Sequence, residues 1–308
     1  MSVFDFPSRA AWAALAFCAA VAYCGLAALG ISVNPLSLAL PLAATALCLA
    51  ASTFYGRYRP DRRLAAMTAG AGFLLAFSAA GGALTYPAAA IGGPLQDKAF
   101  MAFERALGVD WPALAAAMSA NPYLNLVWAV AYMSSLPMLA VVVVALALTG
   151  REERLARFLS LFVVTLLATV AGSVAAPAQG PIPSYGVSSE LFSRLGGGGK
   201  DFLADFQALR AHQFAVFDLV RLQGIITFPS FHCVLAVLTA WALAPVRWLG
   251  RFTIGLSVLV VLSTVPQGGH YIADICAGLL IGFAAIAVAT RLRFAGQVAA
   301  TAVLTPAE

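Results

Sequence analysis

Three histidines, His212, His232 and His270, are the only imidazoles in the 308-residue chain. Two of them open apolar segments in similar settings: Phe228-Pro229-Ser230-Phe231-His232 and Gly268-Gly269-His270-Tyr271-Ile272-Ala273-Asp274. Asp274 follows His270 by four residues, one helical turn, so both side chains share a face. A carboxylate there accepts the proton of one imidazole nitrogen, fixes the tautomer and makes the other nitrogen the better nucleophile. His232 then suits a second task, protonating a departing alkoxide. Ser230 and the amides that begin the next helix suit a bound phosphate, because the first N–H groups of a helix have no partner within it. Two imidazoles with separate tasks and an orienting acid form a coherent phosphoryl-transfer site. Zinc held by His232, His270, Asp274 and His212 is the weaker alternative. His212, in a long loop, reads as a solvated or interfacial residue.

These residues need a scaffold, and composition decides its class. The chain is 62% hydrophobic and 10% charged, with a mean hydropathy of +0.90. Soluble domains carry roughly 25% charged residues, so this chain lacks a surface for water. Several charge-free windows reach the roughly 18 residues that cross a bilayer core. No strand alternation suited to a barrel is present, which leaves an all-α integral membrane protein. Spans are expected near 10–31, 36–55, 64–91, 124–149, 158–176, 229–246, 252–268 and 270–290. The first window reads as a retained span, since only Arg9 precedes it and a second apolar segment follows at once. Asp274 is the only acid within a predicted span, where an ionisable residue is expensive and usually functional. The five cysteines lie in or beside apolar windows and are expected to form no disulfide.

An even number of spans puts both termini on one side. Of the eighteen Lys and Arg residues, twelve fall on that side: Arg9, Arg57, Arg59, Arg62, Arg63, Arg151, Arg154, Arg157, Arg247, Arg251, Arg291 and Arg293. Lys98, Arg105, Arg194, Lys200, Arg210 and Arg221 fall on the other. The positive-inside rule makes the termini cytoplasmic, in a bacterial inner membrane, and the site extracytoplasmic. Span parity alone places His232 and His270 at one depth. The net charge of +5 is thus a topological signal, with no nucleic-acid partner implied.

The chain reads as one polytopic domain, 1–308, with two long loops beside the site. Residues 92–123 place Phe100, Phe103 and Leu107 on one helical face, with Lys98, Glu104 and Arg105 away from it, as in a helix lying in the interface. Residues 177–228 contain Pro177, Pro181, Pro183 and the run Gly196 to Gly199, and are expected to be at least partly irregular.

At the two histidine motifs the sequence resembles the type 2 phosphatidic acid phosphatase superfamily, and more closely its inositol phosphorylceramide synthase-like branch. The superfamily's second motif is Pro-Ser-Gly-His, and Pro229-Ser230-Phe231-His232 matches three of its four positions. A bulky third residue is similar to the synthase-like branch. The third motif runs Ser-Arg, five residues, His, three residues, Asp; Ser263, Thr264, His270 and Asp274 fit that spacing, and Tyr271 is again like the synthases. The resemblance implies a six-helix core, with the catalytic part at 158–290, and earlier spans like those of the eight-helix synthases. It implies that His270 attacks phosphorus, Asp274 supports it and His232 protonates the leaving group, with no metal or cofactor.

Two departures stand out. Thr264 replaces the arginine of the third motif, and the first motif (Lys, six residues, Arg-Pro) is absent. A phosphate needs positive charge nearby. Arg221 is the expected replacement, with Arg210 and Lys200 behind it, and Ser230 and Tyr271 complete the expected substrate contacts. The expected activity is a membrane lipid phosphate phosphatase acting through a phosphohistidine. The alternative is a phosphotransferase that uses a lipid alcohol as acceptor, since fewer cations suit a singly charged phosphodiester. A transporter or lipid-binding protein is the reading from another class.

Overall fold

The computed structural model describes residues 6–196 and 200–304, the side chains at 200, 201 and 292–304 excepted. Polar caps start the first three helices where the apolar windows begin. Ser8 accepts the Ala11 amide (3.1 Å) at the head of α1 (Arg9–Ala28), and Asn34 accepts the Leu36 amide (3.1 Å) before α2 (Pro35–Arg57). Asp61 takes the amides of Arg63 and Leu64, each at 3.0 Å, before α3 (Arg62–Ile91). Such caps satisfy N–H groups that have no partner within the helix. Two short helices follow, α4 (Asp97–Ala106) and α5 (Trp111–Ser119), then α6 (Pro122–Ser134), α7 (Pro137–Leu148) and α8 (Glu152–Ala175). The long second loop holds α9 (Pro181–Tyr185), α10 (Ser189–Arg194) and α11 (Lys200–Arg210), ahead of α12 (Phe231–Leu243), α13 (Arg247–Ser263) and α14 (Ile272–Leu304).

Each of the eight expected spans falls on helix. Among the described residues, five helices are long and apolar enough to cross a membrane: α1, α2, α3, α8 and α14 over Ile272–Arg291. The fourth expected span is broken: α6 and α7 meet at a 55° bend. Pro137 explains the break, because it lacks an N–H and its ring clashes with the carbonyl four residues back. Helix α12 has 13 residues, about 20 Å at 1.5 Å per residue, against a core of about 30 Å. Most of its side chains are buried against α7, α8, α13 and α14. Protein therefore surrounds it, and its short length exposes little polar backbone to lipid.

Helices α3 and α8 form the spine. The first carries α1 and α2; the second packs on α3, α12 and α14. Phe73, Phe77, Phe158, Phe162, Leu155 and Leu238 fill the joint between them. The second long loop is more ordered than its prolines and glycines suggest. Strands β1 (Ser32–Val33) and β2 (Val216–Phe217) pair in parallel, tying the loop to the α1–α2 turn. Phe206, Leu209, Phe217 and Ile225 bury against Leu26, Ile31 and Tyr86. Apolar residues spaced through the loop supply a small core, which the glycine and proline signals conceal.

Candidate active site

The two histidine motifs meet where α12 and α14 begin. The Ser230 amide donates to the carbonyl of Asp274 (3.0 Å), joining the first turns of the two helices. The approach depends on a missing side chain: a Cβ on Gly278 would lie 2.2 Å from the Ser230 carbonyl oxygen. Gly282, one turn on, leaves similar room for Val237. Gly278 and Gly282 form a small-xxx-small pattern, the sequence signal for close helix approach in a membrane.

His270 Nδ1 lies 3.2 Å from Asp274 Oδ2, and both side chains are buried. The same oxygen accepts the Tyr271 amide at 2.9 Å. The His270 carbonyl accepts the Trp111 indole N–H at 2.9 Å, which holds the backbone of the motif from the α5 side. With Nδ1 engaged by the carboxylate, Nε2 is the nitrogen left to react. His232 sits one residue into α12, its ring centroid 6.5 Å from that of His270. Its ring stacks on Tyr132 at 4.1 Å and 21°. Tyr132 lies in the last turn of α6, just before the break, so the bend in the fourth span fixes how His232 presents itself.

Both imidazoles line a cavity of about 330 Å³. Its walls are the α6–α7 bend (Tyr132 to Leu136), Gln179 to Pro183, Phe202 and Leu203 of α11, and the segment Leu222 to Thr227. Three buried side-chain oxygens have no hydrogen-bond partner among the described residues: Thr227 Oγ1, Ser230 Oγ and Asp274 Oδ1. Beside Ser230 Oγ there is only the weakly donating Cys233 thiol. All three fall within or next to the two motifs. Each such group costs about 1–3 kcal/mol, and this concentration marks the place where the fold departs from full polar satisfaction.

The expected contacts divide. His232 and His270 line the cavity and Asp274 stands behind His270. Ser230 is fully buried and lies outside the lining. Tyr271 is also buried, with its hydroxyl 3.0 Å from Asp97 Oδ1, so it anchors the motif from behind. Arg221 is exposed and outside the lining. Arg210 donates to the carbonyls of Ala89, Gly92 and Gly93, where it caps the end of α3. The side chain of Lys200 lies outside the described residues. The Thr264 hydroxyl donates to the Val261 carbonyl and its own carbonyl accepts the amides of Gly268 and His270, serving the turn before the motif. Among the described residues, no Arg or Lys lines the cavity. No group of three or more His, Cys, Asp or Glu there is placed to hold a metal ion, and His212 lies elsewhere, at the end of α11.

Two acids that sequence reasoning misplaced or passed over hold the site together. Asp97 Oδ1 accepts the Gly180 amide (3.0 Å) and the hydroxyls of Ser184 (3.1 Å) and Tyr271 (3.0 Å), and Oδ2 accepts the Gln179 amide (3.2 Å). Glu104 accepts the Tyr185 hydroxyl at 2.7 Å and the Ile272 amide at 3.0 Å. Helix α4 thus clamps the cavity wall to the start of α14. Glu104, expected away from the apolar face, points inward and is fully buried, while Phe103 and Leu107 are exposed. Phe100 does face inward, stacked on Phe228 at 4.8 Å. The reason is that loop and helix-start donors converge on this face, so the acids are worth more inside than the two apolar side chains. The available signal was the spacing of seven between Asp97 and Glu104, two turns along one face. Burial pushes the Glu104 carboxyl above its usual range, against the lowering pull of Tyr185 and Ile272. Tyr185 is raised as well, by its own burial and then by Glu104.

In comparison with known proteins, the model of one family, the PAP2 superfamily, matches residues 98–288, from the first turn of α4 through the first half of α14. No curated protein and no solved structure gives a significant match.

Proposed function

Because the chain belongs to the PAP2 superfamily, whose members are phosphoesterases, we propose that it cleaves a lipid phosphate through a phosphohistidine on His270. The observation that carries this reading is the pairing of an Asp274-bound imidazole with a second imidazole 6.5 Å away across one cavity. An attacking nitrogen needs to stand roughly 3–3.5 Å from phosphorus, and a proton donor within about 3 Å of the leaving oxygen. A single phosphoryl group between the two rings meets both demands. His270 Nε2 attacks phosphorus, the bond to the leaving oxygen breaks, and His232 supplies the proton that makes it an alcohol. Asp274 stabilises the imidazolium that forms on His270. In the second half-reaction water, activated by the now neutral His232, takes the phosphoryl group and frees His270. The asymmetry of basic residues supports an extracytoplasmic site in an inner membrane.

A second reading has its own support. Among the described residues no Arg or Lys lines the cavity, which suits a phosphodiester, with one negative charge, better than a dianionic monoester. It favours transfer to a lipid alcohol, as in the inositol phosphorylceramide synthase-like branch. The broken span is what a transporter would also show, but it adjoins His232 at the single site where both motifs meet, and this favours the enzyme.

Phosphate release from a panel of lipid phosphates by detergent-purified protein, with EDTA present, tests the proposal. Release that vanishes in His270→Ala is expected. Release that persists in His270→Ala refutes the phosphohistidine. Turnover that appears only after a lipid alcohol is added, with no free phosphate, replaces the hydrolase with the transferase.

A further inference from the structure

A second cavity is at the opposite end of the bundle from the histidines. A groove of about 1040 Å³ runs between α8 and α14, closed at its back by Trp241. It exists because α12 stops short and because the facing positions are small: Ala156, Ser160 and Ala168 on α8, Ala284, Ala285 and Ala289 on α14. The volume is at the upper end of the roughly 300–1,000 Å³ that holds a whole small ligand.

Beside the groove is a polar chamber of about 470 Å³, and Arg154 and Arg157 line both. The chamber also carries Arg62, Arg151, Glu152 and Glu153, so four arginines face two glutamates. Glu153 pairs with Arg157 at 2.9 Å, and Glu152 stands 3.9 Å from Arg62. Arg151 and Arg154 have only neutral partners among the described contacts. Arg151 donates to the Pro245 carbonyl (3.2 Å), and Arg154 donates to the carbonyls of Ala242 (2.8 Å) and Trp241 and lies over the Trp241 ring. Carbonyls orient a guanidinium without cancelling its charge. A guanidinium has five donors, and these contacts leave some of Arg154's free at the mouth of an apolar groove.

We propose that groove and chamber together bind one anionic glycerophospholipid of the leaflet opposite the catalytic site. An acyl chain lies along α8 and α14 and the phosphate meets Arg154 and Arg157. Charge complementarity selects this occupant: a net +2 headgroup chamber continuous with a tail-sized apolar groove fits a lipid phosphate better than a neutral or zwitterionic lipid. The site is separate from the histidine cavity, and the inference stands whichever phosphoester the enzyme cleaves.

Trp241 reports on occupancy, because bromine on an acyl chain quenches an indole that it touches. Delipidated protein in detergent would be titrated with phosphatidylglycerol or phosphatidylcholine carrying the same brominated chains. The quenching lost in Trp241→Phe isolates this site. Saturation at a several-fold lower mole fraction of phosphatidylglycerol is expected. Arg157→Gln should weaken that lipid roughly fivefold, and Ala285→Phe should remove the quenching by filling the groove. Arg157 is partly exposed, so its variant reads the charge even if the groove variant misfolds. Equal titrations with the two lipids would mean ordinary boundary lipid and overturn the proposal. An unchanged preference in Arg157→Gln overturns it too. No quenching with either lipid would overturn it in favour of the chain's own N-terminal segment, since Pro7 lines one end of the groove.

Discussion

Gly278→Ala puts the meeting of the two motifs under direct strain. The added methyl would lie 2.2 Å from the Ser230 carbonyl oxygen and 3.0 Å from Cys233 Cβ. Restoring an ordinary contact needs a movement of about 1 Å between the start of α12 and α14. The obstacle is backbone, so no side-chain rotation relieves it. Overpacking of this kind costs about 1–3 kcal/mol, which a multi-helix bundle can survive. The site is less tolerant, because a displacement of about 1 Å can cost on the order of 100-fold in rate. Gly282→Ala is the control: there the new methyl meets the Val237 side chain at 2.9 Å, one turn farther from His232. Phosphate release per folded molecule, with folding checked by size-exclusion chromatography and thermal unfolding, separates the two. Gly278→Ala should lose roughly two orders of magnitude in turnover, while Gly282→Ala loses stability and keeps most of its rate. Turnover in Gly278→Ala within about twofold of the parent, about 0.4 kcal/mol, would refute the claim that this contact sets the histidine geometry.

Three other outcomes follow from the site. In a single turnover, His232→Ala should slow alcohol release from an alkyl phosphate ester by roughly 10²–10⁴ and slow p-nitrophenol release far less, since that leaving group needs no proton; equal losses in this first half-reaction would remove the general-acid role. Arg221→Ala should leave turnover within about twofold, because Arg221 is exposed and outside the cavity lining; a loss of tenfold or more would restore it as a phosphate contact. Burial holds the Glu104 carboxyl above its ordinary value of 4.5 in the folded protein. The folded state therefore holds the extra proton, and stability falls as pH rises from about 4.5 through the folded value. Glu104→Gln should flatten that fall in unfolding temperature, and an unchanged slope would assign it to another group.

Much of the site's arrangement along each helix was legible in the chain. The four-residue spacing of His270 and Asp274 announced the pair, although His270 lies two residues ahead of α14 and reaches the carboxylate from the turn before it. Apolar windows likewise mark helices, because in lipid the backbone must satisfy itself. Relations between helices were not legible in the same way. The window 124–149 reads as one unbroken span, and only the structure shows the break at Pro137 that brings Tyr132 onto His232. The acids of α4 turned inward because donors from two distant segments converge on them, and no local pattern records that convergence. Arg221 is eight residues from Pro229 in sequence, yet the path of the intervening turn leaves it outside the cavity. Spacing within a helix is a property of the backbone and is carried by sequence. The contacts between helices depend on side-chain volumes, such as the missing methyl at Gly278, and on where the loops lead; those only the tertiary structure decides.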